Sequence, residues 1–120
     1  MNGEELKVRT KQFALRVMKL VGALPRTTIG RAIAGQLVRC GTSVGANYRA
    51  ACRSRSKAEF SAKLGTVEEE ADETCFWLEL IIESTLLPAK RVAALLEEAN
   101  ALTAVFTSAV KTSQYGRDDG

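Results

Sequence analysis

An apolar residue recurs every three or four positions along most of the chain, which is the spacing of one face of an α-helix. The pattern predicts four helices, over residues 4–24, 28–52, 56–84 and 88–112. Their short connections are marked by Pro25, by the polar run Arg53-Ser54-Arg55 and by Pro88. We therefore predict an all-α fold, an antiparallel up-down-up-down four-helix bundle over residues 1–112, with a flexible tail at residues 113–120.

The second predicted helix contains four glycines, each of which costs roughly 1 kcal/mol relative to alanine in a helix. They are Gly30, Gly35, Gly41 and Gly45, and they flank the apolar stripe of this helix. Close approach of a neighbouring helix or subunit would compensate for the cost, because glycine has no side chain that keeps two backbones apart. A bend near Gly41 is the alternative.

Polar residues interrupt the same apolar stripe. Asn47 lies within it, and Ser43 lies one turn before Asn47. Because a buried amide needs hydrogen-bond partners, we interpret the two residues as a structural polar pair in the core that sets the register of the helices. A functional polar pocket is the alternative interpretation.

The second half of the third predicted helix is apolar on nearly every side. Beyond the core stripe, Phe76, Trp77 and Leu80 point in another direction. Each helix of an isolated four-helix bundle has an outer face, so this surplus predicts a homo-oligomer in which these three residues contact another copy. An exposed aromatic patch is the alternative. Glu69 and Glu73 share this side and would need cations there, which the arginines of the second helix could supply.

Charge is divided between the two halves of the chain. Residues 1–63 carry 13 Lys and Arg against 3 Asp and Glu, a net charge of +10, and residues 64–120 carry 4 against 11, a net charge of −7. The basic half predicts a surface that binds the phosphates of RNA or DNA. The candidates for this surface are Arg26, Arg31, Arg49, Arg53, Arg55 and Lys57. The alternative is that these cations form a solvated face or pair with the acidic helix.

Composition argues against most enzymes. The chain contains no histidine, which removes the most common general base and zinc ligand. The acidic run Glu68–Glu73 therefore lacks the Glu-x-x-His element of di-metal bundles. Cys40, Cys52 and Cys75 form no C-x-x-C pair and are expected to be buried free thiols. We predict no catalytic residue, no metal and no cofactor.

No apolar run is long enough to span a membrane, and Met1 is followed by Asn-Gly-Glu-Glu rather than by a secretory signal. We expect a cytoplasmic protein with no membrane partner.

Several short motifs resemble one known family. They are Leu24-Pro25, the R-x-x-x-S-x-x-x-N pattern of Arg39, Ser43 and Asn47, the segment Arg55–Phe60, and Glu73 ahead of Trp77–Leu80. Together they resemble the four-helix-bundle proteins encoded in 23S rRNA intervening sequences, some of which carry a ribosomal-protein-like label. The similarity covers about residues 6–112, which is nearly the whole predicted bundle.

The resemblance implies a homopentamer of antiparallel bundles with a central channel and no established catalytic activity. The accessory protein of diversity-generating retroelements is similar in fold and uses a basic pentameric surface to contact nucleic acid and a reverse transcriptase. By this resemblance, Arg39, Ser43, Asn47 and Glu73 are the family-pattern positions. We hypothesise that Arg39 and Glu73 pair across or beside the subunit boundary.

Two functions follow from these observations. The first is a non-enzymatic homo-oligomer, a pentamer by the resemblance, that binds RNA or DNA through the basic face of the first two helices and the turn after them. The second is a protein-interaction scaffold that binds a protein partner and no nucleic acid. A continuous positive surface would favour the first, and mutual neutralisation of the charges would favour the second.

Overall fold

The computed structural model describes the backbone of residues 1–119 and the side chains of residues 1–115. This part of the chain forms four α-helices and no strand: α1 (Gly3–Val21), α2 (Thr28–Cys52), α3 (Lys57–Glu83) and α4 (Ala89–Asp119). The predicted all-α class with four helices is confirmed.

The fourth helix is longer than its apolar pattern predicts. The pattern ends near residue 112, but α4 continues to Asp119. No proline or glycine interrupts the segment before Gly116, and the hydroxyl of Ser113 donates to the hydroxyl of Ser61 on α3 at 2.9 Å. Part of the predicted tail at residues 113–120 thus belongs to α4, and the rest lies outside the described residues.

Side chains just before the helices satisfy their first backbone N–H groups. Asn2 accepts from the N–H of Glu5, Thr27 accepts from that of Gly30, and Ser56 accepts from that of Glu59. Such caps stabilise a helix by about 1 kcal/mol each. The carboxylate of Glu59 also accepts from a backbone N–H in the preceding turn. Local sequence therefore determines where α1, α2 and α3 begin.

Cross-helix contacts show that consecutive helices run antiparallel. Residue numbers increase along one helix as they decrease along its neighbour: Gly41 and Gly45 of α2 lie against Val17 and Thr10 of α1, and Ser61 and Cys75 of α3 contact Ser113 and Thr103 of α4. The short α2–α3 connection and the contact of Thr74 with Cys40 fit the same arrangement. Helix α4 also contacts α1, and this contact is the smallest of the four. The result is an elongated bundle of 51 × 22 × 19 Å.

Two glycines of α2 allow α1 to approach closely. A Cβ at Gly41 would lie 2.7 Å and 2.8 Å from the two methyl groups of Val17, and a Cβ at Gly45 would lie 3.3 Å from the carbonyl oxygen of Thr10. A Cβ at Gly35, in contrast, would meet nothing within 4 Å. Compensation by a neighbouring helix is confirmed at Gly41 and Gly45, and the neighbour is α1.

The polar pair predicted for the core lies elsewhere. Ser43 and Asn47 are only half-buried, and they bond the backbone of their own helix: the Ser43 hydroxyl donates to the Arg39 carbonyl and the Asn47 amide donates to the Ser43 carbonyl. Both side chains therefore make their hydrogen bonds within α2, and neither bonds to another helix. Among the described side chains, the buried polar ones are those of Thr10, Ser61 and Thr74.

Candidate nucleic-acid interface

A basic cleft of about 300 Å³ separates α1 from α2. Its cations are Lys7 and Lys11 from α1, Arg49 from α2 and Arg53 at the C-cap of α2, and we call these four residues and the space between them the α1/α2 cleft. On each helix the two cations are one turn apart and share a face. Because the helices are antiparallel, the beginning of α1 lies beside the end of α2, and the two pairs face each other.

Small residues form the floor of this cleft. A second pocket of about 160 Å³ shares three of its cations and continues along Ala14, Gly45 and Ala46. Gly45 also permits the close approach of α1, so the same residue that brings the helices together leaves the groove between the cations open.

The four cations lack acidic partners across the cleft. Lys7 forms an exposed pair with Glu4 on its own helix at 3.1 Å, and Lys11, Arg49 and Arg53 form no ion pair with any described residue. Like charges from two helices therefore converge where the fold gains no attraction from them. A phosphate in the cleft would relieve this repulsion and accept several charge-assisted hydrogen bonds.

The predicted basic residues separate into two groups. Arg49 and Arg53 line the cleft, and Arg55 and Lys57 follow them at the same end of the bundle, in the α2–α3 connection and the first turn of α3. Arg26 and Arg31 belong to the opposite end, because the 22 residues from Arg31 to Arg53 span roughly 33 Å of helix. All six side chains are exposed.

Lys7 and Lys11 were not among the predicted residues, although the first helix was expected to contribute. Their spacing of one turn on α1 was visible in the sequence. Their position opposite the end of α2 depends on how α1 and α2 are aligned, and the spacing of residues in the sequence does not show this alignment.

Arg39 forms ion pairs within the bundle. Its guanidinium pairs with Glu70 of α3 at 3.1 Å and also with Glu73, whose carboxylate accepts from the Trp77 indole N–H at 3.0 Å. The Trp77 indole and the Arg39 guanidinium lower the pKa of the Glu73 carboxyl, and the hydrogen bond to Glu73 raises the pKa of Arg39. The hypothesised Arg39–Glu73 pair therefore exists, and it lies within one chain.

The three predicted interface residues of α3 differ in exposure. Phe76 is 53% exposed, whereas Trp77 and Leu80 are half-buried and Trp77 packs partly against the core. The rings of Phe76 and Trp77 contact edge to face, with centroids 5.2 Å apart. Glu69 is exposed and forms no ion pair within the described part of the chain. Phe76 is thus the aromatic residue of this face that is available to another molecule.

The three cysteines are free thiols, but the prediction that they are buried is wrong for Cys52 and holds for Cys40 and Cys75. Cys40 accepts a hydrogen bond from Thr74 at 3.3 Å, and burial raises the thiol pKa of both Cys40 and Cys75. Cys52 is exposed at the end of α2. Among the described residues, no group of three or more His, Cys, Asp or Glu side chains could hold a metal ion. None of the described helices is long and apolar enough to cross a membrane.

The profile of the family described as "23S rRNA-intervening sequence protein" matches residues 4–108, from the start of α1 well into α4. This chain belongs to that family. The structure is also similar to that of a protein from Bacteroides thetaiotaomicron. Its crystal structure is described as that of a protein with unknown function from the S23 ribosomal protein family.

The similarity to the Bacteroides protein extends over nearly all of both chains. The two have a TM-score of 0.82 and 30% sequence identity, over 88% of this chain and 98% of the other. None of the curated protein sequences matches the chain significantly. The family resemblance drawn from the sequence motifs is confirmed, and the relation to the retroelement accessory protein stays a prediction.

Proposed function

We propose that this family member is a non-enzymatic homo-oligomeric bundle that binds RNA or DNA through phosphate contacts in the α1/α2 cleft. The observation that carries the proposal is the convergence of Lys7, Lys11, Arg49 and Arg53 from two helices with no acidic residue opposite them. Arg55 and Lys57 extend the positive surface around the same end of the bundle.

The cleft suits the backbone of a nucleic acid better than its bases. Arginine and lysine bind phosphate without reading sequence, and neither described pocket of the cleft contains an aromatic side chain on which a base could stack. Binding of this kind depends on the release of counterions. Four phosphate contacts give a slope of log K against log salt of about −3.6, which is about a 150-fold loss between 50 and 200 mM salt.

The test measures the binding of a fluorescent duplex by anisotropy across this salt range. The variant Arg49→Gln/Arg53→Gln should weaken binding and make the slope about 1.8 less negative, because two contacts are lost. The control Lys63→Gln/Lys111→Gln removes the same charge from positions outside the cleft and should leave the slope unchanged. Equal effects of the two variants, or binding that does not respond to salt, would refute the proposal.

Phe76 supports the homo-oligomeric part of the proposal. More than half of its side chain is exposed, and Trp77 holds the ring from one edge. Aromatic residues in such positions are enriched in protein interfaces. Light scattering should give a mass that is a multiple of the 13.0 kDa chain, five-fold if the family resemblance holds in full, and Phe76→Ser should lower it. A monomeric wild-type protein would contradict this part.

A protein-interaction scaffold is the second candidate. It is favoured by the exposed acidic residues Glu69, Asp72 and Glu79, which surround Phe76 on the outer side of α3 and fit a basic, apolar partner. Failure of the wild-type protein to bind any duplex at low salt, together with an intact oligomer, would favour this function over the first.

A further inference from the structure

A second basic cleft lies on the other side of α1. It separates α1 from α4 and has a volume of about 290 Å³. Arg16 and Lys19 of α1 face Arg91 of α4, above a floor of Leu20, Ala94 and Leu95. We call Arg16, Lys19, Arg91 and the space between them the α1/α4 cleft.

Outside the α1/α2 cleft, the described ion pairs between helices join opposite charges. Between α1 and α4, the guanidinium of Arg9 donates twice to the carboxylate of Glu98, at 2.7 and 2.8 Å. Between α2 and α3, Arg39 pairs with Glu70 and with a second glutamate. In each of these contacts the two helices carry opposite charges, which attract each other.

The α1/α4 cleft departs from this rule. Its three cations form no ion pair with the described residues, and Glu98 of α4 already accepts both hydrogen bonds from Arg9. Arg16 acts on Glu98 only at longer range, where it helps Arg9 to lower the pKa of that carboxyl. The bundle therefore brings like charges together on both sides of α1, which points to an anion bound at each side.

We infer that the α1/α4 cleft is a second phosphate site and that both clefts hold the backbone of one double-stranded nucleic acid across α1. This inference rests on the proposed function of the α1/α2 cleft. Along the helix axis, Lys19 lies roughly 12 Å from Lys11 and roughly 18 Å from Lys7. Across α1 the two clefts are further separated by the helix diameter of about 10 Å, so their cations lie on the scale of the two phosphate rows that flank the major groove of B-DNA, about 12 Å wide.

The surface between the clefts and the lack of aromatic residues favour a duplex over a single strand. Between the clefts, α1 presents Leu15 and Met18, which are exposed and uncharged, and the acidic residues Glu4 and Glu5 lie at its first turn, beside Val8. Proteins that hold single strands without sequence preference combine cations with stacking aromatics. The exposed aromatic residues of the described chain, Phe76 and Tyr115, lie outside both clefts.

The test compares a duplex of about two turns with a single strand of the same length, by anisotropy and salt titration. The variant Lys19→Gln/Arg91→Gln keeps Arg16 and its longer-range attraction to Glu98, and it removes two cations of the α1/α4 cleft. Seven contacts predict a wild-type slope of about −6 for the duplex, and this variant should make the slope about 1.8 less negative. When salt is raised from 50 to 200 mM, the variant and the wild-type protein should both lose affinity. The factor of loss should be about 12 times smaller for the variant.

The same Lys63→Gln/Lys111→Gln control should leave the slope unchanged, and circular dichroism and light scattering should show no change in fold or mass. Duplex binding by Lys19→Gln/Arg91→Gln that equals the control overturns the second site, while loss in Arg49→Gln/Arg53→Gln still supports the proposed function. Equal binding of duplex and single strand overturns the inferred ligand. A wild-type protein that binds anionic phospholipid vesicles and no nucleic acid overturns both proposals.

Discussion

Alanine at position 41 tests whether the close approach of α1 to α2 carries the energetic weight that the structure indicates. A Cβ there would lie 2.7 and 2.8 Å from the two methyl groups of Val17 and 3.1 Å from its Cβ. The main overlap is with the two methyl groups, and the 3.1 Å contact with the Cβ does not change when the side chain rotates. Rotation alone therefore relieves only part of the overlap, and the two helices must also shift, which loosens the core between them.

The expected cost follows from two opposing effects. Alanine is favoured over glycine in a helix by roughly 1 kcal/mol, and overpacking a tight contact costs roughly 1–3 kcal/mol. Gly41→Ala should therefore lower the free energy of unfolding by about 1 kcal/mol. At Gly35 an added Cβ meets nothing within 4 Å, so Gly35→Ala should raise it by about 1 kcal/mol. The difference between the two variants isolates the steric cost, since the helix propensity cancels.

Urea unfolding followed by circular dichroism, at one fixed protein concentration, measures both free energies. The double variant Gly41→Ala/Val17→Ala supplies a further check, because the smaller residue at position 17 makes room for the new methyl group. It should be more stable than the sum of the two single changes by about 1 kcal/mol or more. Stabilisation by Gly41→Ala equal to that by Gly35→Ala would refute the reasoning.

Two further predictions concern ionisable groups. The hydrogen bonds from Arg9 lower the pKa of Glu98, so this carboxylate stabilises the fold above the usual carboxyl pKa, and that stability is lost as the pH falls through the lowered pKa. Glu98→Gln should cost on the order of 1 kcal/mol at neutral pH and less at pH 3, and a difference that does not change with pH would contradict this. At pH 8 a thiol reagent should label Cys52 in the folded protein but Cys40 and Cys75 only after unfolding, because the bundle buries their sulfur atoms away from the reagent and this burial also raises their thiol pKa. Equal labelling rates for the three thiols would contradict that expectation.

The number of helices and the places where three of them begin could be predicted because they depend on neighbouring residues. Apolar spacing, the prolines at 25 and 88, and the caps at Thr27 and Ser56 act within one or two turns of chain. The end of α4 was harder to predict, because the loss of apolar spacing after Val110 removes core contacts but does not by itself break helical hydrogen bonds.

The candidate site was predicted only in part. Charge and composition indicated a basic surface in the first half of the chain, and two of its proposed residues, Arg49 and Arg53, do line the α1/α2 cleft. The same approach named Arg26 and Arg31, which lie at the far end of the bundle, and it did not single out Lys7. Distance along the helix axis, rather than residue type, separates these groups.

By itself the sequence determined the helices, which of their faces are apolar, and the surplus of positive charge in the first half of the chain. Each of these is a property of one segment. Only the tertiary structure decided which charges meet. The contact of Gly41 with Val17 aligns α1 and α2 so that cations face cations, whereas the contact of α2 with α3 sets Arg39 against Glu70. Arg39 and Arg49 thus have different roles although both belong to α2, because the side chains opposite them depend on how the helices pack.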